Sequence, residues 1–539
     1  MRLFAVPAWW YTRLREWLIE RRRPVLEARF DLGERPITPA EVLAFARSDA
    51  RGIHLVLDGN FGGGWATIEA LRDALARARE AGKLITVEAG RFGNAELYIA
   101  SVADRVWIRP TGEVAALGVA ATLTFGGRLL ERLGLRFDVE AAGTYKAFGE
   151  TFTRAFASPA NREATAALVS DLQAELDATV AAGRRMTVEA VQAGLARAPL
   201  SGEEALEAGF VDAILYRDQV EAQLDELYGE APRVAFRRWA RITRWRRWVE
   251  SYIEGRPRVV VLHLVGNVLD GEGAGAPAIA SGPVCRALET LRDDDRVVGV
   301  VLAIRSPGGS ATASDAIWRC VRRLVEKKPV VAAFGDVAAS GGYYIGVACN
   351  EIFAQRGTIT GSIGVVGGKP VIGGLFDKLG VSTETVTERE TADMYSLLRP
   401  FSPAQRERFR ASLDRFYQTF VSRVSAGRRA PFDSVEVHAR GRVWTGAAAL
   451  ERGLVDRIGS VEDAVARVRV LTASPAVRRM DARILPRVPL LTRLVRRLLL
   501  TASPTLLSRV SDELEAVEGL SRALASGQAL AWAPWESEP

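Results

Sequence analysis

The sequence predicts an α/β protein made of two tandem copies of one domain, with helical N- and C-terminal extensions. Three observations lead there. The chain matches itself: "LVLDGNFGGG" from Leu55 aligns with "VLAIRSPGGS" from Val301, and "LYIASVADRVWI" from Leu97 with "YYIGVACNEIFA" from Tyr343, both at a shift of 246 positions. A second block, "LSGEEALEAGFVD" from Leu200, matches "WTGAAALERGLVD" from Trp444 at a shift of 244. Each copy alternates apolar β-rich runs such as "GIHLVLD" and "VVGVVLAI" with helical patterns such as "TIEALRDALARAREAG", the rhythm of βα units around a largely parallel sheet. Finally, 539 residues with 48% apolar and 25% charged content are globular in composition and long for one domain.

In chain order, residues 1–45 form an amphipathic N-terminal segment. It places Trp9, Trp10 and Trp17 beside Arg13, Arg15 and Arg21 to Arg23, with bulky residues where a cleavable signal peptide carries small ones. The first copy spans 46–235 and a Trp/Arg-rich linker spans 236–255, containing "FRRWARITRWRRWVE". The second copy spans 256–470, and a helical tail with "LLTRLVRRLLL" spans 471–539. No run of 18 apolar residues occurs, so no membrane-spanning helix is expected. Two readings of the Trp/Arg segments stand side by side: helices lying on a membrane surface, or helices packed on their own protein or a neighbouring subunit. The net charge is +7, but no nucleic-acid-binding motif accompanies the basic residues, so a nucleic-acid partner is not expected. Cys285, Cys320 and Cys349 form no CxxC pair, which points to free buried thiols and to neither a disulfide framework nor a metal site. No cofactor is expected.

The chemistry concentrates at two strand-to-helix turns of the second copy, "RSPGGS" and "GDVAASGG", the places where α/β folds gather their sites. Ser340 lies in the second of these. A serine there could be a plain helix N-cap. The repeat argues for more, because the matching position in the first copy is Asn94, while the first copy holds Lys146 where the second has Ala392 or Glu390. One copy keeps a nucleophile and the other keeps a base.

A serine hydroxyl needs a positioned proton acceptor. Of the three histidines, His54 and His263 sit inside strand patterns and His438 in a polar helical stretch, so a Ser-His-Asp arrangement is poorly supported. Arginine stays protonated, whereas burial can bring a lysine into range. The chain has only six lysines, against a great excess of arginine: Lys83, Lys146, Lys327, Lys328, Lys369 and Lys378. Lys83, Lys327 and Lys328 read as surface residues; Lys369 in "GGKPVIGG" is the rival to Lys146 in "GTYKAF". An oxyanion hole needs backbone N–H donors. Gly341, directly after the serine, supplies one, and "SPGG" supplies the other, with Gly308 preferred to Gly309.

The stretches "SPGGS", "GDVAASGGYYIGVA", "TGSIGVVGG", "GTYKAFGETFTRAFASPANREA" and "GRVWTGAAALERGLVD" together resemble the long, tandem-domain signal peptide peptidases, the SppA or protease IV family, over about residues 50–470. The resemblance implies a Clp-protease-like or crotonase-like fold, with a serine from the second domain and a lysine from the first. These roles fall on Ser340 and Lys146, and Ser362 in "GSIG" matches a serine that holds the lysine amine. It implies serine endopeptidase activity on hydrophobic peptides such as released signal peptides, bowl-shaped homotetramers, and attachment at the bacterial inner membrane. Family members usually carry an N-terminal membrane-spanning helix. Here a Trp/Arg-rich stretch stands in its place, so the expectation is peripheral attachment, with the side left open. Two rivals remain: a crotonase-type acyl-CoA enzyme, and a catalytically inactive membrane-associated scaffold of the same fold.

Overall fold

The computed structural model describes residues 17, 19–30, 36–58, 63–229, 231–253, 257–273, 278–473, 478–483 and 530–531. Each copy builds its own sheet. The first is seven-stranded, in the order Leu200–Ser201, Arg105–Val114, Leu84–Phe92, Gly52–Val56, Val25–Arg29 and Arg233–Ala235, with Ala213–Ile214 beside Arg105–Val114. The second is eight-stranded, running Val443–Thr445, Ile359–Gly361, Val330–Ala339, Val297–Ser306, Arg258–Val265 and Arg478–Arg483, with Glu351–Ala354 and Arg457–Ile458 to one side. The central pairs are parallel in both, and their β-branched residues are buried on both faces. Leu302 in the middle strand of the second sheet is wholly buried. Truncating it to alanine is expected to cost ~2–5 kcal/mol in a chemical-denaturation measurement.

The repeat extends to the helix caps. Helices Pro159–Arg184 and Pro403–Arg428 are each 26 residues long. Each opens on a Ser-Pro pair whose serine accepts a backbone N–H, Ser158 from Asn161 and Ser402 from Gln405. Each closes on a left-handed arginine, Arg185 at φ +58° and Arg429 at φ +53°. The preceding arginines grip equivalent carboxylates, Arg184 on Asp212 at 2.6 Å and Arg428 on Asp456 at 2.7 Å.

Two features depart from the sequence expectation. The first sheet begins at Val25–Arg29, and helix Pro39–Ala46 packs beside helix Trp65–Glu80, so part of the segment assigned to 1–45 belongs to the first copy. At the other end, Arg478–Arg483 in the stretch expected to be a helical tail forms a strand parallel to Arg258–Val265. The tail motif "LLTRLVRRLLL" and Trp9, Trp10, Arg13 and Arg15 lie outside the described residues. In the linker, helix Phe236–Ile253 buries Phe236 and Trp239 in the first core, with Trp239 Nε1 donating to Glu20 Oε1 at 3.1 Å. For those two aromatics the reading of packing on their own protein holds, while Trp17 is 55% exposed.

A third sheet has no counterpart within one copy. Strand Arg136–Ala142 of the first copy pairs antiparallel with Val365–Val371 of the second, in register from Val365 opposite Ala142 to Val371 opposite Arg136. The same six-stranded sheet holds Ala278–Ala280, Asn267–Leu269, Gly309–Ser310 and Leu530–Ala531. It ties the copies together beside the turns singled out from sequence.

Candidate active site

Ser340 ends strand Val330–Ala339 and starts helix Gly341–Gly346. Its backbone sits at φ +53° and ψ −116°, a region that normally favours glycine and costs about 1–3 kcal/mol for other residues. Two bonds hold it there: Ser340 N donates to Gly361 O at 2.9 Å, and Tyr344 N donates to Ser340 O at 2.8 Å.

The cross-copy strand Arg136–Ala142 leads through Gly143 to Tyr145 and Lys146. Tyr145 N donates to Arg440 O at 2.8 Å, and Lys146 N to Gly143 O at 3.1 Å. Gly441, at φ +77°, lies against this turn so closely that a β-carbon there would stand 2.7 Å from Lys146 N. The lysine side chain then runs into the second copy. Its Nζ lies 2.8 Å from Ser340 Oγ, 2.9 Å from Ser362 Oγ and 3.0 Å from Ser362 O. Ser362 has its own left-handed backbone, φ +51°, and donates from its nitrogen to Arg442 O at 2.7 Å.

All three side chains are buried, and burial alone pulls Lys146 down from 10.5 to about 7. Near neutrality a large fraction is therefore uncharged. A neutral amine has two N–H donors and one lone pair. The two oxygens of Ser362 can take both donors, which leaves the lone pair for the hydroxyl proton of Ser340.

The glycines expected to bind an oxyanion converge on the same point. A β-carbon on Gly341 would lie 3.3 Å from Gly309 N and 3.4 Å from Gly308 Cα. Gly309, at φ +147°, leaves no room for a side chain, since a β-carbon would fall 2.1 Å from Val268 O. The Gly308 N–H donates to Ser306 Oγ at 3.1 Å, and Gly309 is a strand residue paired with Val268 and Ala531, so both glycines stay candidates.

Lys369 does not join the site. Its amine donates to Met394 O at 2.7 Å and lies 4.5 Å from the centre of the Phe401 ring. Lys83 and Lys328, expected at the surface, are half-buried and bond backbone carbonyls, Lys83 those of Ser48 and Ala50, Lys328 those of Leu291 and Asp294. His54 is buried beside Thr86, His263 bonds Asp481, and His438 is half-buried against Trp444. All three cysteines are free, Cys349 buried and the other two half-buried. In the first copy, Asn94 seals the matching position with a bond to Gly118 O at 2.7 Å and another from Gly118 N at 3.1 Å. Sequence reasoning missed the clamp Arg440–Arg442, which holds Tyr145 and Ser362 by its carbonyls. Its signal was present in "GRVWTG", where Gly441 precedes an arginine.

The model of Peptidase family S49 matches residues 77–230 and again 322–474. The chain belongs to peptidase family S49. Among curated relatives, the chain is 29% identical over 452 residues to "Serine protease SPPA, chloroplastic" of Arabidopsis thaliana, covering 82% of this chain and 66% of that protein. It is 30% identical over 446 residues to "Protease 4" of Salmonella typhi, covering 79% of this chain and 70% of the relative. The match thus spans about two thirds of the length of these relatives. Among solved structures, a ClpP1 mutant from Listeria monocytogenes aligns with a TM-score of 0.27 and 14% identity, over 40% of this chain and 99% of that one. The S49 domain occurs twice here, and Ser340 and Lys146 fall in different copies of it.

Proposed function

We propose that this S49 protein is a serine endopeptidase whose nucleophile, Ser340, and general base, Lys146, come from different copies of the domain. The observation that carries this reading is the 2.8 Å approach of the buried Lys146 amine to Ser340 Oγ. Lys146 takes the hydroxyl proton as Oγ attacks a peptide carbonyl carbon. The negative oxygen of the tetrahedral intermediate is held by the N–H group of Gly341 and by one from the Gly308–Gly309 turn. The lysine ammonium then protonates the departing amine, and water, activated by the same amine, releases the acyl group from Ser340. Ser362 fixes the amine through its hydroxyl and carbonyl.

The substrates are extended hydrophobic peptides such as released signal peptides, the class that the resemblance of the chain's motifs to the signal peptide peptidases implies. A crotonase-type enzyme would need an acyl-CoA, and an inactive scaffold would need no lysine beside the serine. Hydrolysis of a fluorogenic hydrophobic peptide without CoA tests both rivals. Ser340→Ala is expected to lower kcat by roughly 10³–10⁶-fold while leaving the circular dichroism spectrum unchanged. Retained turnover would remove Ser340 from the mechanism. The rate of the parent should climb as pH rises through about 7, where Lys146 loses its proton. A profile flat from pH 5 to 10 would count against a lysine base.

The protein works as a homotetramer attached peripherally to a bacterial inner membrane. Among the described residues no helix is long and apolar enough to cross a membrane, and exposed Trp17 carries Arg21 over its ring at 5.0 Å. Raising the salt concentration should release much of the protein from anionic vesicles. Release by detergent alone would point to integral insertion.

A further inference from the structure

Helix Trp65–Glu80 of the first copy docks on the second copy next to the proposed nucleophile. Thr67 donates from its backbone nitrogen and its hydroxyl to Asp336, at 2.8 and 3.0 Å. Asp336 lies four residues before Ser340. Further along the helix, Glu69 Oε2 accepts the backbone N–H of Gly357 at 2.8 Å. Trp65 covers the same glycine, where a β-carbon would stand 2.1 Å from Trp65 Cδ1. Gly357 belongs to a turn closed by Gln355 N donating to Thr358 Oγ1 at 3.0 Å. That turn runs directly into strand Ile359–Gly361 and Ser362, the residue that holds the lysine amine.

Glu69 is 2% exposed. The charges around it are mostly of its own sign. Asp73 lies on its own helix and Glu175 on helix Pro159–Arg184, and Arg356 in the docked turn is the counter-charge. Arg356 is shared, its Nε 3.9 Å from Glu175. Glu175 also accepts from the hydroxyls of Tyr98 and Thr179, and Arg72 lies over the Tyr98 ring. Burial first, then repulsion by Glu175 and Asp73, pushes Glu69 up to about 8, against the opposing pull of the Gly357 N–H and Arg356.

We propose that Glu69 is a positioning residue for the Ser340–Lys146 pair: protonated, it seats the 355–358 turn of the second copy on the first, and its ionisation unseats the turn that carries Ser362. This rests on the serine–lysine reading above. Away from the turn Glu69 loses part of its burial and ionises at a lower pH, whereas docked it keeps its proton to about 8. Docking therefore loses stability as pH rises across that window, and above it the full cost of burying a carboxylate short of counter-charge opposes docking. Lys146 needs the opposite change, losing its proton through about 7. Activity is thus confined between the two, with a falling limb that belongs to a residue of the joint.

Glu69→Gln tests this, because the amide keeps the shape and still accepts the Gly357 N–H but cannot ionise. In the full chain, the parent should lose at least tenfold in kcat between pH 8 and pH 10. The Gln variant should stay on its plateau, with the rising limb near 7 in the same place in both. The melting temperature of Glu69→Gln should equal the parent's at pH 4.5, exceed it increasingly up to about pH 8, and keep a constant margin above that. A parent with no falling limb, a falling limb unchanged in the variant, or a melting difference independent of pH would each overturn the proposal. Failure of the serine–lysine reading would show separately, as a missing rising limb in both proteins, and the melting comparison would still decide the role of Glu69.

Discussion

Replacing Lys146 by methionine is expected to abolish peptide hydrolysis and at the same time to raise the melting temperature by several degrees at pH 6. Methionine fills the same channel without a titrating group. The sign follows from the direction of the shift. In the unfolded chain the lysine holds its proton up to 10.5, while in the folded one it loses it at about 7. The burial penalty is therefore absent above 10.5, grows as pH falls, and is complete below about 7. A shift of this size corresponds to roughly 3–5 kcal/mol. Calorimetry at pH 6 and at pH 10.5 measures it, and the stabilisation should shrink toward zero at the higher pH. Lys146→Arg separates charge from basicity, since arginine cannot give up its proton. That variant should be inactive too and should melt below the parent, because it forces a cation into a buried channel. If Lys146→Arg kept near-normal turnover while Lys369→Ala lost it, the base would be Lys369.

The second large effect comes from dividing the chain. Residues 1–253 and 257–539 expressed separately are each expected to hydrolyse nothing, and co-expression should restore activity. A cut near Arg238 is ruled out by Phe236 and Trp239, which are buried in the first core. Each fragment keeps its own core and central sheet. Neither keeps a complete site, because Ser340 and Ser362 lie in one and Lys146 in the other. Reassembly has a large surface to use: the pairing of Arg136–Ala142 with Val365–Val371, the Thr67–Asp336 bonds, and Thr445 donating to Asp171 at 2.8 Å. A second fragment active on its own would mean that a group of the second copy is the base.

Much of this arrangement was legible in the sequence because it is local or repeated. The repeat exposed itself through two nearly equal shifts, 246 and 244 positions, while the shared Ser-Pro helix starts emerged only with the structure. Ser340 stood out because the first copy writes Asn94 at its place, and Lys146 because the chain otherwise prefers arginine. What stayed hidden depends on contacts between distant segments. "RFDVEAA" carries no mark that it will pair with "VVGGKPV" some 230 positions later. The end strands Val25–Arg29 and Arg478–Arg483 were obscured by the arginine-rich segments around them. The bond from Gly308 to the Ser306 hydroxyl is invisible in the motif itself, and Glu69 looks like an ordinary helix carboxylate until Gly357 of the other copy is placed against it.

The most direct test of a site shared between the copies is labelling by a serine-directed fluorophosphonate, followed by peptide mapping by mass spectrometry. In the full chain the adduct should fall on Ser340, with a labelling rate that rises as pH passes through about 7. In Lys146→Met, labelling should drop to background. Undiminished labelling of Ser340 in Lys146→Met, or an adduct on a different residue, would contradict the account.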